Sequence, residues 1–341
     1  MMATKPVPFR SRGGKSAMWS DHLNVIQQAP WGTCINELDT EASLVEQNAS
    51  FVALLECMAV IRVSGEEAAS FLQGQITCDV SPLNSGQAVL GAHCNAKGRA
   101  QSTFLCLRQG DDFLLLLPQD QVAPTIQVLS KFAMFSKADV TADESLLVFA
   151  PAGPDQATIH SMVQDANQGA TLFTLPALGS LGVIAQAQAP AFIQLLQQHS
   201  IPLVGDNAWN LSQINGGLVH IHANQAENWI PQEINYDLVE GVNFKKGCYK
   251  GQEIVARIHY RGQTKVRTFP LEIHGCDAVE IGDKIVSEAG NGTILAVARV
   301  SERTLKVLST LKIEASESQN LKLEQNDACQ IHVLPLPYAI T

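Results

Sequence analysis

The pattern of the chain changes at Thr268, and this change restricts the possible folds more than any other feature. Before it, short runs rich in β-branched residues alternate with segments of helical periodicity. After it, alternating apolar runs such as residues 292–300 and 305–313 are separated by clusters of Gly, Asn and Ser, and helix signals are absent. This order predicts α+β structure followed by a small antiparallel β-barrel.

The part before residue 268 divides into two regions. In the first, a helix should open with the capping box Ser64–Glu67, and a second helix should span 120–133. The strands predicted around them are 59–63, 88–94, 101–107, 113–117 and 146–149. This order is of the split βαβ kind. The second region should hold a strand at 181–184, a helix that ends near His199 and another at 208–214. The predicted divisions are a tail and irregular lead-in (1–50), two α+β domains (51–150 and 151–262) and the barrel (263–341).

Composition excludes two broad classes of protein. With 46% hydrophobic and 16% charged residues over 341 positions, the chain can bury a substantial core and is not intrinsically disordered. A net charge of −10 argues against a protein that coats nucleic acid in general. We therefore expect a folded protein with specific partners.

Targeting signals and cysteine usage indicate the compartment. No apolar stretch reaches the length of a membrane span, and the N-terminus lacks a secretory apolar segment. We expect a cytoplasmic protein that makes no membrane contact, with its eight cysteines reduced. None of them forms a C-x-x-C pair, which argues against zinc, a bound cluster or any other permanently bound metal.

One cysteine lies in surroundings that favour chemistry. The neighbours of Cys248 are cations and glycines: Lys245, Lys246, Gly247, Lys250, Gly251 and, further on, Arg257. Nearby cations favour the thiolate, the form in which a cysteine acts as a nucleophile or metal ligand. Gln252 and Glu253 should form the first turn of a helix, where an acid suits the positive helix end. The alternative is that Cys248 is a small core residue and the lysines are a solvated face.

The stretch 246–253 reads Lys-Gly-Cys-Tyr-Lys-Gly-Gln-Glu. It closely resembles the Lys-Gly-Cys-Tyr-x-Gly-Gln-Glu signature of the YgfZ family, which is itself similar to the T-protein of the glycine cleavage system. Further segments match blocks of the same family: 71–80, 93–99, 230–233 and 334–338. The resemblance covers about residues 50–341. It implies a T-protein-like folate-binding fold of two α+β domains plus a C-terminal antiparallel β-barrel.

The resemblance also implies a function. YgfZ-family proteins bind folate and are tied to iron–sulfur cluster maintenance and tRNA modification. We therefore expect tetrahydrofolate or a derivative as cofactor, and iron–sulfur enzymes or assembly proteins as partners. The protein would support the assembly or repair of iron–sulfur enzymes, including those that methylthiolate tRNA. Whether the chain is itself an enzyme stays open; an activity would be of the folate-dependent transferase type.

Residue roles follow from the same resemblance. Cys248, Lys246 and Tyr249 would be catalytic. The rest of the motif loop would comprise Lys245, Gly247, Lys250, Gly251, Gln252, Glu253 and Arg257. Trp209 matches a position that contacts the pterin end of folate, as a flat aromatic wall can; a tryptophan buried between domains is the alternative. Two positions depart from the family, because Met58 replaces a second tryptophan and Asn215 replaces a glutamate.

Two alternative functions use the same regions. An aminomethyltransferase-like one-carbon enzyme would need the Asp-Asp pair of T-protein, but this chain has Ser102 and Thr103 there. Neutral hydroxyls cannot handle a proton as a carboxylate does, so glycine cleavage activity is not expected. A non-catalytic RNA-binding regulator would use residues 241–270, which hold seven cations and one acid. This stretch would suit a tRNA contact or the glutamate tail of folate, or it is an ordinary solvated surface.

Overall fold

The structure is a computed structural model that describes residues 18–23, 27–29, 32–166, 169–175, 179–276, 278–318 and 320–340. The predicted tail lies largely outside these residues, since 1–17 are not among them. The α-helices are α1 (Leu38–Glu46), α2 (Ala68–Gln75), α3 (Val122–Ala133), α4 (Gln156–Asp165), α5 (Ala189–Gln198), α6 (Asp206–Asn215), α7 (Gln252–Arg261) and α8 (Ile313–Ser316).

The strands complete the element order. They are β1 (Gln27–Ala29), β2 (Gly32–Cys34), β3 (Phe51–Leu55), β4 (Met58–Ser64), β5 (Ala88–Cys94), β6 (Ala100–Gln109), β7 (Asp112–Pro118), β8 (Asp139–Ala142), β9 (Leu146–Ala152), β10 (Thr171–Leu175), β11 (Gly179–Ala185), β12 (Leu203–Val204), β13 (Val266–His274), β14 (Lys284–Val286), β15 (Gly292–Ser301), β16 (Thr304–Lys312), β17 (Lys322–Leu323) and β18 (Gln330–Val333). The predicted strands and helices before residue 268 therefore exist, with ends that differ by a few residues.

The first sheet has the order β5-β6-β7-β4-β8, and its pairs are antiparallel. Strand β7 is a continuous apolar run because both of its faces are covered. Leu115 and Leu117 pack with residues of α2 and α3, whereas Leu114 and Leu116 belong to a central core. One face of this sheet therefore carries helices, and the other faces the middle of the molecule.

The second sheet has the order β10-β11-β9-β3-β12, with α4 and α5 packed on one face. Strand β3 pairs antiparallel with β9 and parallel with β12. Strands β3 (51–55) and β9 (146–152) both belong to the second sheet, although most of their residues lie within the predicted first domain. Sheet membership therefore does not follow the expected limits at 51–150 and 151–262. The central core between them includes Trp209 and Tyr236. The domain limits themselves stay a prediction.

The C-terminal region forms a six-stranded antiparallel sheet of order β17-β14-β15-β16-β13-β18. Register shifts at Ile294/Ala296 and Arg299/Ser301 bend β15 against β16, as bulges do, and the sheet is barrel-like. Its interior is apolar and includes Leu271, Ile285 and Val307. The predicted barrel is confirmed, although the short helix α8 interrupts a region where no helix was expected.

Two local predictions need correction. The capping box is wrong, because Ser64 is the last residue of β4 and α2 begins after Glu67 without a side-chain cap. Gly65 turns the chain there at φ +108°, and the Glu67 carboxylate instead accepts a hydrogen bond from the backbone N–H of Lys137 at 3.3 Å. The expected irregular lead-in also contains a helix, α1, which has acids at Asp39 and Glu41 in its first turn.

The expectation that every thiol is reduced does not hold for one pair. Cys276 and Cys329 form a disulfide with a Cα–Cα distance of 5.6 Å. The pairing of β13 with β18 brings them together, because His274 lies opposite Gln330 at the end of that ladder. A cysteine count could not reveal this, since the two residues are 53 positions apart in the sequence.

Candidate functional site

The motif loop (residues 243–251) is shaped by its own side chains and by helix α7. The Asn243 side chain accepts hydrogen bonds from the backbone N–H groups of Lys245 and Lys246, at 2.8 and 3.0 Å. This Asx turn opens the loop. Gly251 closes it in the left-handed region, at φ +82°, and the helix follows from Gln252 with Glu253 in its first turn. The predicted helix start is confirmed.

Lys246 holds the loop to the first domain. Its side chain points inward and only 8% of the residue is exposed. The ammonium donates hydrogen bonds to the backbone oxygens of Ile76 and Cys78, at 2.8 and 2.6 Å. Burial is the main reason that its pKa is lowered. Lys246 therefore acts as an anchor rather than as a cation that faces the thiol.

Other segments singled out in the sequence converge on the same loop. The backbone N–H of Lys250 bonds to Gly74 O at 3.2 Å, at the end of α2. The turn at Asn95–Gly98 packs on the start of α7: a Cβ at Gly98 would lie 2.9 Å from Cβ of Ile254, and one at Gly251 would clash with Asn95 O. These glycines are required by close approach.

The segment 230–233 also supports this part of the structure. Gln232 donates its side-chain amide to the backbone oxygen of Val255 in α7, at 2.8 Å. The guanidinium of Arg99 bonds to the backbone oxygen of Asn228, close to the same segment. The blocks 71–80, 93–99 and 230–233 thus form one contiguous support beneath the loop and its helix.

Cys248 is exposed on this support, which excludes the reading of a core cysteine. The other free cysteines among the described residues are buried or half-buried, and burial is the main cause that raises the pKa of each. For Cys34, Cys78 and Cys94 the pKa rises to about 12. Exposure therefore distinguishes Cys248 more clearly than flanking charge does.

The two residues after Cys248 point into the structure. Tyr249 is buried, burial raises the pKa of its phenol, and the Lys246 ammonium lies 5.4 Å from its ring centroid. The Lys250 ammonium lies 3.4 Å from the side-chain oxygen of Gln101 and 4.7 Å from the ring centroid of Phe132. Neither lysine makes a described contact with the thiol, so their predicted role in enriching the thiolate lacks structural support.

The basic stretch 241–270 is less uniform than its composition indicates. Lys246 is buried, and Arg267 forms a buried ion pair with Asp237 at 2.6 Å. The exposed cations of the stretch are Lys245, Arg257, Arg261 and Lys265. Beside them the rings of Phe244 and His259 stack at 3.6 Å between centroids, and Tyr260 is exposed. The surface with positive charge is therefore mainly the outer face of α7.

Trp209 lies in a different place, on α6 against the second sheet. It is buried, stacks on His220 at 5.0 Å between ring centroids, and lines a cavity of about 200 Å³. The rest of the lining comes from residues 150–153, 156, 179–180, 212–213, 216 and 218. The lining includes no residue of the C-terminal barrel. Trp209 is thus a core residue that also borders a cavity, and its contact with folate stays a prediction.

Met58 lines a second, larger cavity of about 340 Å³. This cavity is mainly apolar and lies between β4, the start of β9 and α3. The Glu56 carboxylate on its wall accepts a hydrogen bond from Ser20 N at 2.6 Å, and burial is the main cause that raises its pKa. Met58 and Trp209 thus border separate cavities, and the structure does not bring them together around one ligand.

Comparisons with known proteins decide the family. The tRNA-modifying protein YgfZ of Pectobacterium carotovorum subsp. carotovorum (strain PC1) is 30% identical over 304 residues, which cover 84% of this chain and 91% of that protein. The chain belongs to the YgfZ family. The protein of the same name from Serratia proteamaculans (strain 568) is 29% identical over 305 residues, covering 84% of this chain and 92% of its own. No family model matches the chain.

A solved structure shows the fold of this YgfZ-family protein. The glycine cleavage system aminomethyltransferase T from Bartonella henselae superposes with a TM-score of 0.66 over 87% of this chain and 89% of its own, at 15% identity. The predicted fold class, two α+β regions and a C-terminal barrel of T-protein type, is confirmed.

The two positions at which the resemblance to T-protein predicts an Asp-Asp pair hold buried hydroxyls. Thr103 faces the central core, where its hydroxyl accepts a hydrogen bond from Ile221 N at 2.8 Å. Ser102 is buried, and its hydroxyl has no partner among the described residues. Asn215 is engaged as well, because its side chain bonds to Glu46 and Lys306, each at 3.2 Å. None of these side chains offers a free carboxylate.

Two buried histidines, His93 and His220, were not predicted as site residues from the sequence. The ring nitrogens of His93 and His220 have no partner in the described part of the chain, and burial lowers the pKa of each to about 3. His93 lies opposite Ser102 in the β5–β6 ladder, next to the support of the motif loop. In the sequence, His93 could have been noticed as a polar residue inside an apolar strand. No sequence pattern marks His220, because its contact with Trp209 depends on the fold.

Two features concern metals and membranes. In the residues that the structure describes, no three His, Cys, Asp or Glu side chains are grouped so that they could hold a metal ion. The described helices include none that is long and apolar enough to cross a membrane. Cys248 therefore has no described neighbours with which it would form a metal site.

Proposed function

We propose that this YgfZ-family protein binds a reduced folate and supports the assembly or repair of iron–sulfur enzymes in the cytoplasm, including enzymes that methylthiolate tRNA. The observation that carries the proposal is the placement of Cys248. It is an exposed thiol on a loop that a buried lysine and neighbouring segments hold in position. A thiol that served only packing would need neither exposure nor a fixed loop.

The chemistry assigned to the loop divides between two kinds of residue. Cys248 would contact the substrate, as a nucleophile or as a transient ligand of iron, in its thiolate form. Lys246 would be a positioning residue, because its ammonium is used on two backbone oxygens. Tyr249 would pack beneath the loop. Lys250 would hold the loop against the end of α3 through Phe132, and Arg257 would present charge on the outer face of α7.

The cavity at Trp209 would receive one end of the folate. The indole supplies an apolar wall, and Gln156, Ser212 and Gln213 offer polar groups for the nitrogens and oxygen of a flat heterocycle. A volume of about 200 Å³ lies below the roughly 300–1,000 Å³ of sites for drug-sized ligands, so only the pterin end would enter. Tetrahydrofolate or a derivative would supply its reduced pterin there, and Trp209 would orient it.

Aminomethyl transfer is the weaker candidate. It needs a carboxylate near the folate nitrogen, and the corresponding residues are Ser102 and the hydrogen-bonded Thr103. If the chain is an enzyme, its folate-dependent chemistry would therefore not be glycine cleavage.

A tRNA contact through residues 241–270 is the second candidate role, favoured by the outer face of α7. Arg257 and Arg261 lie one helical turn apart and are exposed, and the neighbouring Tyr260 offers an exposed aromatic ring. Cations with exposed rings suit phosphates and unpaired bases. The double substitution Arg257→Ala with Arg261→Ala should weaken tRNA binding and flatten its dependence on salt. An unchanged salt dependence would remove this face from any RNA contact.

Complementation tests the main proposal. The wild-type protein should restore methylthiolated tRNA in a bacterial strain that lacks its own YgfZ-family protein. Cys248→Ala should fail to restore it while accumulating at the wild-type level, because an exposed cysteine carries little core packing. Cys106→Ala, at a buried site, serves as the matched control and should lose function only in proportion to lost protein. Full activity of Cys248→Ala would overturn the proposal.

A further inference from the structure

Four large apolar side chains are exposed among the described residues, and three of them lie together. The three neighbours are Phe132, Met134 and Phe135, which are 38%, 74% and 85% exposed. The fourth is Tyr260 on α7, which is 65% exposed. We call the first three the apolar patch. Helix α3 buries Thr125, Leu129 and Ala133 and ends at Ala133. Phe132 lies at the edge of that buried face, whereas Met134 and Phe135 follow the helix end and are largely exposed. Contiguous exposed apolar groups mark interaction sites.

The apolar patch adjoins the motif loop. The ammonium of Lys250, two residues after Cys248, lies over the ring of Phe132 at 4.7 Å from its centroid. Burial chiefly lowers the pKa of Lys250, and the charge of Lys131 on α3 adds to this effect. Both observations place the end of α3 against the loop. A molecule that covers the apolar patch would therefore also lie next to the loop that carries the exposed thiol.

We propose that the apolar patch docks a partner protein through an apolar segment flanked by acidic side chains, and that docking brings the partner to Cys248. The inference rests on the proposed function, in which the thiol serves another protein. Lys131 and Lys250 border the patch on the side of the motif loop, whereas Glu66 and Glu67 lie at its far end, where they bond to Lys137. An acidic rim on the partner would therefore meet complementary charge.

The composition of the patch favours protein over RNA. Aromatic residues and methionine are enriched in the cores of protein interfaces. Single-stranded nucleic acid instead needs a series of flat rings that follow a groove of cations. Met134 provides no flat ring, and Lys137 at the end of this segment is already paired with Glu66 at 2.8 Å. The RNA-like features of the chain lie on α7.

Binding to defined probes tests the proposal. The probes are a fluorescent helical peptide of Leu and Glu, the same peptide with Lys in place of Glu, and a single-stranded RNA oligonucleotide, each titrated by anisotropy. The Leu–Glu peptide should bind best. Phe135→Ser should weaken it at least about tenfold, as for an interface hot spot. Tyr260→Ser removes an exposed ring outside the apolar patch and should change its affinity less than about twofold.

Charge variants provide a second arm. Lys131→Glu should weaken the Leu–Glu peptide, whereas Lys322→Glu on the barrel strand β17, an exposed lysine away from α3, should leave it unchanged. Equal binding of the two peptides would refute the proposal that the partner carries acidic side chains around its apolar segment. If Phe135→Ser binds the Leu–Glu peptide with unchanged affinity, or loses affinity for the RNA oligonucleotide instead, the proposed docking surface is refuted.

Complementation separates this proposal from the function on which it rests. Phe135→Ser should restore less than half of the methylthiolated tRNA, with folate affinity and alkylation of Cys248 unchanged. Full restoration by Phe135→Ser together with failure of Cys248→Ala would refute the docking surface and leave the function standing. Full restoration by Cys248→Ala would refute the function, and the peptide titrations would then still decide the surface.

Discussion

Replacement of Lys246 by Met tests whether this lysine anchors the motif loop. The substitution keeps the apolar stem in its buried channel and removes the ammonium that donates to the oxygens of Ile76 and Cys78, at 2.8 and 2.6 Å. The two carbonyls lose their charged donor inside the structure. Loop 243–251 should then be held only by its remaining contacts, such as the buried Tyr249 ring and the hydrogen bond from Lys250 N to Gly74 O.

The expected cost follows from those two hydrogen bonds. A hydrogen bond to a charged group contributes about 1.5–3 kcal/mol, so two of them set an upper limit of about 6 kcal/mol. Burial of the ammonium is itself unfavourable, as its lowered pKa indicates, and this offsets part of the gain. We expect Lys246→Met to lower the free energy of unfolding by about 2–4 kcal/mol.

Urea denaturation of both lysine variants measures the effect. Lys245→Met is the matched control, because the neighbouring lysine is exposed and its loss should change stability by less than about 0.5 kcal/mol. Proteolysis in the native state should cut the loop faster in Lys246→Met only. Equal stability of the two variants would refute the anchoring role of Lys246.

Further predictions concern pH, folate and activity. Burial holds the pKa of His93 and His220 at about 3, against an ordinary value of 6.5, so the unfolded chain binds more protons between these values. The free energy of unfolding should fall as pH is lowered through this window, by up to about 1.4 kcal/mol per pH unit for each histidine. Gln at both positions should flatten the slope in urea titrations, whereas His199→Gln, at an exposed site, should not. Trp209→Ala should weaken tetrahydrofolate binding by about 1 kcal/mol or more in calorimetry, and an equal affinity would remove this residue from the site. Glycine cleavage assayed with the partner proteins of that system should show no turnover, and measurable turnover would contradict the reading of the buried hydroxyl pair.

The sequence predicted the fold well where periodicity and turn residues agree. Strands β5 and β6 with the turn at Asn95–Gly98 show strong local patterns, and they were found near their predicted limits. The barrel was predictable for the same reason. The disulfide between Cys276 and Cys329 was not, because it depends on which strands pair across the barrel.

The candidate site was predicted only in part. The motif identified the segment around Cys248, and the start of α7 followed from local rules. Sequence spacing could not tell that Lys246 turns inward while Lys245 stays exposed, since they are two consecutive lysines. Nor could it tell that Phe132 reaches Lys250, because this contact joins residues more than a hundred positions apart.

The central claim is that Cys248 is the reactive thiol of this protein. Competitive alkylation of the folded chain with iodoacetamide, followed residue by residue with mass spectrometry, tests it most directly. Since the thiolate is the reacting form and burial raises the pKa of the other described free thiols, Cys248 should react at least about 100-fold faster than Cys78 or Cys94. Loss of activity in restoring tRNA methylthiolation should follow the extent of its modification. Faster reaction of a buried cysteine, or full activity after complete alkylation of Cys248, would contradict the account.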